Sequence, residues 1–459
     1  MRVPAPLERV SLSDSEGELF SCTTTRPPCK NASHPTISFD ARRVAFDCDA
    51  NGVVPGFGND SHVGQTYVRD LASGSTILVS AARDKNNAIV PPNGPSTFAE
   101  ISGDGEYVAF SSVASNLVEG DDEKLSDVFL ARIAPFELVS VVPMLDGESE
   151  SPSISFDARF VAFASSARNF VGLRAAGGAP SATAPTKDRN VFVIDRSSGS
   201  IEWLSRKQDG AEPNGPSSAP AIDDAGLRVA FTSEATDLFS SDANGSAADV
   251  FVADRETGQL QCVSLRYDGL STANAVSRKP TMSGNGRFVA FESNASDLLR
   301  PGEDTNGQSD VFVRDLQPGR IARMSLTASG GEARGPSGYA AISSDGRFVA
   351  FTSLARNLTP GDETSNYFQF FVRDRDVSGD GAFDEPGDVR TLRLSTAPDG
   401  SPANARSGGN ADLAADGRTA VFMSESNLLV GGDTNGVGVG MGCSPTCVFG
   451  RDVFLVHFD

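Results

Sequence analysis

The strongest constraint on this chain is that it repeats itself. Residues 286–299 read GRFVAFESNASDLL and residues 346–358 read GRFVAFTSLARNL, with the same turn, apolar alternation and polar exit. Anchored on its phenylalanine, the motif recurs at Phe46, Phe110, Phe163, Phe231, Phe291, Phe351 and Phe422. A second motif follows each copy: QTYVRD from Gln65, DVFLAR from Asp127, NVFVID from Asn190, DVFVAD from Asp249, DVFVRD from Asp310, FFVRD from Phe370 and DVFLVHF from Asp452. Seven copies of each define a repeat architecture, and a period of this length governs the fold.

Each copy carries four short runs of strand composition. The first is rich in small residues, as in PTISFD from Pro35 or AAISSD from Ala340. It closes on Asp104-Gly105, Asn285-Gly286, Asp345-Gly346 or Asp416-Gly417, dipeptides that favour a tight hairpin into the second run. The third run alternates, with Val311 and Val313 against Phe312 and Arg314, and ends at an aspartate followed by glycine, as in DLASG, DRSSG and DRETG. The fourth closes on serine: ILVS from Ile77, EWLS from Glu202, QCVS from Gln261, ARMS from Ala322 and LRLS from Leu392. Neighbouring Val and Phe on one strand point to opposite sides, so each four-stranded sheet is apolar on both faces and must be sandwiched. A ring supplies two neighbours to every sheet. The expected fold is therefore all-β, a seven-bladed β-propeller of four-stranded antiparallel blades. It forms a single domain over residues 1–459, with blades starting near 35, 98, 151, 218, 279, 339 and 410. The seventh copy stops after its third strand, while LERVSLS from Leu7 matches the closing run of the others. Residues 7–13 are thus expected to complete blade 7 as its outer strand and close the ring.

The recurring ISxDGRFVAF…DVFVRD…RxS unit, from about Leu7 to Asp459, resembles the repeat of TolB-type, WD40-like propellers found in bacterial extracytoplasmic proteins. The resemblance implies the fold and an extracytoplasmic setting, periplasmic or secreted. Such propellers serve as docking platforms, as peptidase lids and occasionally as lyases or hydrolases, so function has to be argued from the site. The expectation is a non-catalytic monomeric scaffold presenting loop-rich faces to a protein or glycan partner. The alternative is a metal-dependent lyase or hydrolase acting in the axial funnel, recognisable by three or more His, Glu or Asp side chains directed into the channel.

Composition narrows the partners. A formal net charge of −21 repels nucleic acid and anionic membrane surfaces. No run approaches the eighteen or so apolar residues of a membrane span. MRVPAPLERV lacks the apolar core of a signal peptide, so the chain reads either as cytosolic or as a mature or trimmed form. Cys22, Cys29, Cys48, Cys443 and Cys447 are expected on one face at the ring-closure seam. Disulfides Cys22–Cys29 and Cys443–Cys447 would brace the loops there and imply an oxidising compartment. Their spacing is poor for zinc, and Cys262 reads as a small packed residue.

The best metal candidate is DRDVSGDGAFDEPGD, between the third and fourth strands of blade 6. Asp376, Ser378, Asp380, the carbonyl of Ala382, and Asp384 have the ligand spacing of an EF-hand-like calcium loop without its helices, with Gly381 at the sharp turn. Gly387 stands where such loops carry their last ligand, so Glu385 or Asp388 must substitute. Bound Ca2+ is the expectation, a solvated acidic turn the bland alternative. On the other face, SDANG, EDTNG, GDETSN and GDTNG read as Asx turns that need no ion. No catalytic residue is expected. There is no GxSxG elbow, His34 with His62 lacks a third ligand, and His457 reads as structural. Arg69, Arg314 and Arg373, beside Asp70, Asp315 and Asp374, read as turn anchors, and Trp203 as packing.

Overall fold

The computed structural model describes residues 7–11, 32–49, 53–54, 63–83, 88–121, 124–141, 145–170, 173–175, 185–186, 188–317, 319–431 and 451–458. Seven antiparallel blades surround an axis. Their innermost strands are Ala32–Ile37, Ser96–Ile101, Ser149–Ile154, Ser217–Ile222, Ser277–Met282, Ser337–Ile342 and Ser407–Leu413. Blade 7 runs outward through Thr419–Ser424 and Asp452–His457 to the N-terminal strand Glu8–Arg9. Val10 N donates to Val453 O at 2.8 Å and Ser11 Oγ to Asp452 Oδ1 at 2.7 Å, so the two ends of the chain close the ring by hydrogen bonds. No helix among the described residues is long and apolar enough to cross a membrane.

The repeated phenylalanine now has a physical role. In every blade it lies opposite an aromatic residue of the third strand. The pairs are Phe46–Tyr67, Phe110–Phe129, Phe163–Phe192, Phe231–Phe251, Phe291–Phe312, Phe351–Phe371 and Phe422–Phe454, with ring centroids 5.7–6.0 Å apart. Such cross-strand pairs add to the burial of their own area. The apolar clusters span blades: Phe288, Val311 and Val313 of blade 5 pack with Ile342, Val349 and Phe351 of blade 6. Ring formation is therefore what buries the second face of each sheet.

The turn glycines serve the ring as well as the hairpin. Gly226, Gly346 and Gly417 have φ of 70°, 83° and 63°, the left-handed region. A Cβ on them would come within 2.1, 2.1 and 2.3 Å of Phe160, Phe288 and Phe348 of the preceding blade. The arginines that follow two of these or equivalent turns, Arg287 and Arg347, grip Asp315 and Asp374 with two hydrogen bonds each. Arg314 anchors the turn of its own blade, donating from Nη1 to Gly319 O at 2.8 Å, and both Arg314 and Arg373 also reach across the seam. Arg314 donates to Val263 O and Leu265 O, and Arg373 to Leu326 O, all on the preceding blade. Strand alternation turns these side chains out of their own sheet and into the seam.

Candidate functional site: a blind axial funnel

Every inner strand breaks register with its neighbour partway along. At the break His34, Phe98, Ser151, Ala219, Lys279 and Tyr339 take φ of 47–59°, and blade 7 uses Gly408 and Gly409 at 87° and 112°. Left-handed backbone costs a non-glycine residue about 1–2 kcal/mol, and it persists where the surrounding structure imposes it. Here the bulge delivers one residue of each blade to the axis. These six residues and Gly409 line the mouth of a cavity of about 380 Å3, whose deeper wall includes Thr36, Glu100, Thr281 and Ala411. That is the size range of a small-molecule site.

The far end of the axis is drawn together. Backbone bonds run from turn to turn: Phe39 N to Gly103 O, Asp104 N to Phe156 O, Phe156 N to Asp224 O, Asp224 N to Gly284 O, Asn285 N to Ser344 O, and Ala415 N to Phe39 O. Phe39 meets Phe156 edge to face at 5.1 Å across blade 2, and Ser344 Oγ reaches Asp224 Oδ2 at 3.0 Å across blade 5. The cavity is a funnel with a floor.

Its lining is ionisable. On the wall of blades 1 and 2, His34 Nδ1 lies 3.0 Å from Asp47 Oδ2, and the imidazole packs on Phe98 at 4.8 Å. Phe98 remains 39 % exposed. On blades 5 and 6, Lys279 Nζ sits 3.6 Å from the Tyr339 ring centroid and 3.3 Å from Glu292 Oε1. One layer deeper, Glu100 of blade 2 and Asp412 of blade 7 flank Thr36 of blade 1. Asp412 accepts from Ile37 N at 3.0 Å and Leu413 N at 2.8 Å, and Thr36 Oγ1 accepts from Ile101 N at 3.0 Å. Both carboxyls are partly exposed, like Thr36, Thr281 and Ala411 beside them. Burial, with the charge of Asp412 added, pushes Glu100 up to about 8; burial lifts Asp412 to about 6 in spite of its two backbone donors.

The acidic loop of blade 6 folds differently from a simple reading of its spacing. Oxygens of Asp376, Asp380 and Asp388 lie within 4.8 Å of one another. Ser378 joins them, its Oγ lying 2.9 Å from Asp388 Oδ2 and 3.2 Å from Asp376 Oδ1, so its one O–H is shared between the two carboxylates. Ala382 N donates to Asp380 Oδ1 at 2.9 Å. Asp384 turns away and pairs with Arg375 Nη2 at 2.6 Å, and Glu385 contributes its carbonyl to Asp388 N. Burial works against the Asp376 charge, but the N–H groups of Gly381, Gly379 and Asp380 hold its carboxyl below the usual range. Three crowded carboxylates fit a hard cation with oxygen ligands. Among the described residues no such triad lies in the funnel.

The loops on the opposite face are closed locally. Asp242 accepts from Asn244 N and Gly245 N, while Asp304 and Asp362 pair with Arg323 at 3.3 Å and Arg393 at 2.6 Å. GDTNG, His62, Cys22, Cys29, Cys443 and Cys447 lie outside the described residues, and no disulfide occurs among the described ones. Cys48 and Cys262 are both buried, and burial, then the charge of Asp249, pushes the Cys262 thiol up to about 12. Trp203 is buried, with Nε1 bonded to Asn190 Oδ1 at 3.1 Å, and His457 Nδ1 meets Thr419 Oγ1 at 2.8 Å.

Sequence reasoning missed Glu100, Asp412, Lys279 and Tyr339. Their signal was present: each is a charged or bulky residue in an inner run rich in small residues. Two-residue periodicity alone could not turn them to the axis, because the bulge resets it.

No family model and no curated protein sequence matches the chain. Solved structures do match its shape. An oligogalacturonate lyase in complex with manganese aligns at TM-score 0.50 and 10% identity, covering 100% of this chain and 98% of that one. The acylaminoacyl peptidase of Pyrococcus horikoshii aligns at 0.47 and 10%, covering 87% and 49%. The putative TolB of Agrobacterium tumefaciens aligns at 0.37 and 15%, covering 64% and 80%. The TolB-type resemblance stands as a likeness of fold. The expectation of a non-catalytic scaffold is corrected. The funnel is lined with the ionisable side chains of His34, Glu100 and Lys279 rather than with small residues and backbone alone, and the likeness to the lyase is one of fold.

Proposed function

We propose that the axial funnel is an acid–base active site for a small polar substrate. The observation that carries this reading is the carboxyl pair. Glu100 lines the cavity and Asp412 lies two blades round from it on an inner strand; burial raises both, with Asp412 the more acidic, and such a pair can form an acid–base couple near neutrality. Asp412 then removes a proton and Glu100 supplies one, while the floor closes the far end of the cavity around the reacting atoms. His34, with Nδ1 3.0 Å from Asp47 Oδ2, and Phe98, its ring tilted 52° to the imidazole, stand at the entrance. The pair titrates as a unit, so the values belong to the couple.

The test needs no prior substrate. Titration of 13C-labelled carboxyl groups should show one group near pH 8, absent in Glu100→Gln, and one near pH 6, absent in Asp412→Asn. A turnover screen over small polar compounds should then give activity with a bell-shaped pH profile that both variants lose. Carboxyls that titrate together near pH 4, or variants with full activity, overturn the proposal.

A second reading concerns the blade 6 loop, where we infer a Ca2+ ion held by Asp376, Asp380 and Asp388. Calcium should raise the melting temperature of the wild type by linkage, and a chelator should reverse it. Asp376→Asn with Asp388→Asn should abolish the response; an unresponsive wild type refutes the site. An ion-braced loop accords with an extracytoplasmic setting, which remains part of this proposal.

A further inference from the structure

The funnel is electrically polarised, and this bears on what it takes in. Lys279 brings the ammonium group to its lining, from blade 5. Around the ring Glu100 stands three blades away, on the far wall, with Asp412 two blades from Lys279 in the other direction. The bulge shared by every inner strand, left-handed here at φ 51°, turns this lysine toward the axis.

The ammonium is also incompletely matched. Its carboxylate neighbour Glu292 is shared, since Arg278 Nε donates to the same Oε1 at 2.7 Å, closer than Lys279 at 3.3 Å, and Tyr339 N takes Oε2 at 3.1 Å. The Tyr339 ring covers one side of Nζ without accepting a conventional hydrogen bond. An ammonium has three donors, and its side chain is 40% exposed toward the cavity. One N–H therefore remains for a ligand. A cationic molecule would meet this charge at the mouth, and a neutral one would leave the donor to water.

We propose that the substrate carries a carboxylate, that Lys279 anchors it, and that the rest of the molecule spans the axis to Glu100 and Asp412. Lys279 is a binding and specificity residue in this arrangement. The inference rests on the acid–base reading of the funnel and adds the substrate class. A cavity of about 380 Å3 admits a molecule of monosaccharide size.

The experiment uses the full chain and matched pairs of probes, D-glucuronate against D-glucose and succinate against succinamide, with affinities measured by calorimetry. Charge-assisted hydrogen bonds to a charged group translate into roughly 10–100-fold in affinity. The expected result is a preference of at least about tenfold for an acid over its neutral partner, weakening as salt is added. Lys279→Met should erase the preference, and Lys279→Arg should keep it, with circular dichroism reporting that both fold. Equal affinities within each pair, no binding of either acid, or a preference that survives Lys279→Met overturns the proposal. Glu100→Gln separates the two readings. The acid preference should survive that substitution, whereas the titration near pH 8 should not.

Discussion

At the residue scale, Glu100 shows how a propeller axis changes ordinary chemistry. A glutamate on an exposed strand titrates near 4.5; enclosed by inner strands and facing Asp412, this one is held protonated to about pH 8. The consequence for stability has a definite sign. A carboxyl whose folded value is raised contributes stability that is present below about pH 4.5 and is lost as pH rises toward 8. Chemical denaturation between pH 5 and 8 should therefore show the wild type losing stability more steeply than Glu100→Gln. Parallel slopes would mean that the side chain is hydrated like a surface carboxylate. Asp412 contributes in the same direction, with its part lost by about pH 6.

At the element scale, the Asp-Gly turns join a local requirement to a distant one. Hairpin chemistry favours glycine there, yet blades 1 and 3 carry Ala41 and Ala158 at the same turn with φ of 55° and 51°, so a Cβ is excluded only where a neighbouring ring fills its place. Phe288 lies where a Cβ on Gly346 would be, 2.1 Å from its Cδ2. Gly346→Ala should accordingly cost about 2–5 kcal/mol, combining left-handed strain with overpacking at the seam of blades 5 and 6. Urea unfolding measures this. The control is Gly245→Ala, also at positive φ but with open space around its Cβ, which should cost only the backbone term of about 1–2 kcal/mol. Equal losses at both sites would remove the packing argument.

At the scale of the whole molecule, the ring is held shut by a two-residue strand and the bonds beside it. Glu8 and Arg9 pair with Leu455 and Phe454, and Ser11 Oγ both donates to Asp452 and accepts from Val453 N. A chain beginning at residue 12 should melt at a lower temperature, and a synthetic peptide of residues 1–16 added in excess should restore part of the loss by mass action. An unchanged melting temperature would show that seam packing between blades, not the terminal strand, sets stability. The sequence alone determined the blade count, the strand pairing within each blade and the origin of the closing strand. Those features rest on period-two alternation and turn chemistry, which are local and recur seven times. The same locality made the calcium-like spacing of the blade 6 loop visible, yet not that Arg375 would draw Asp384 out of it. Only the tertiary structure decided the funnel. Residues as far apart in sequence as His34, Glu100, Lys279 and Tyr339 line one cavity because seven bulges turn seven strands toward one axis, and no local pattern encodes where an axis lies.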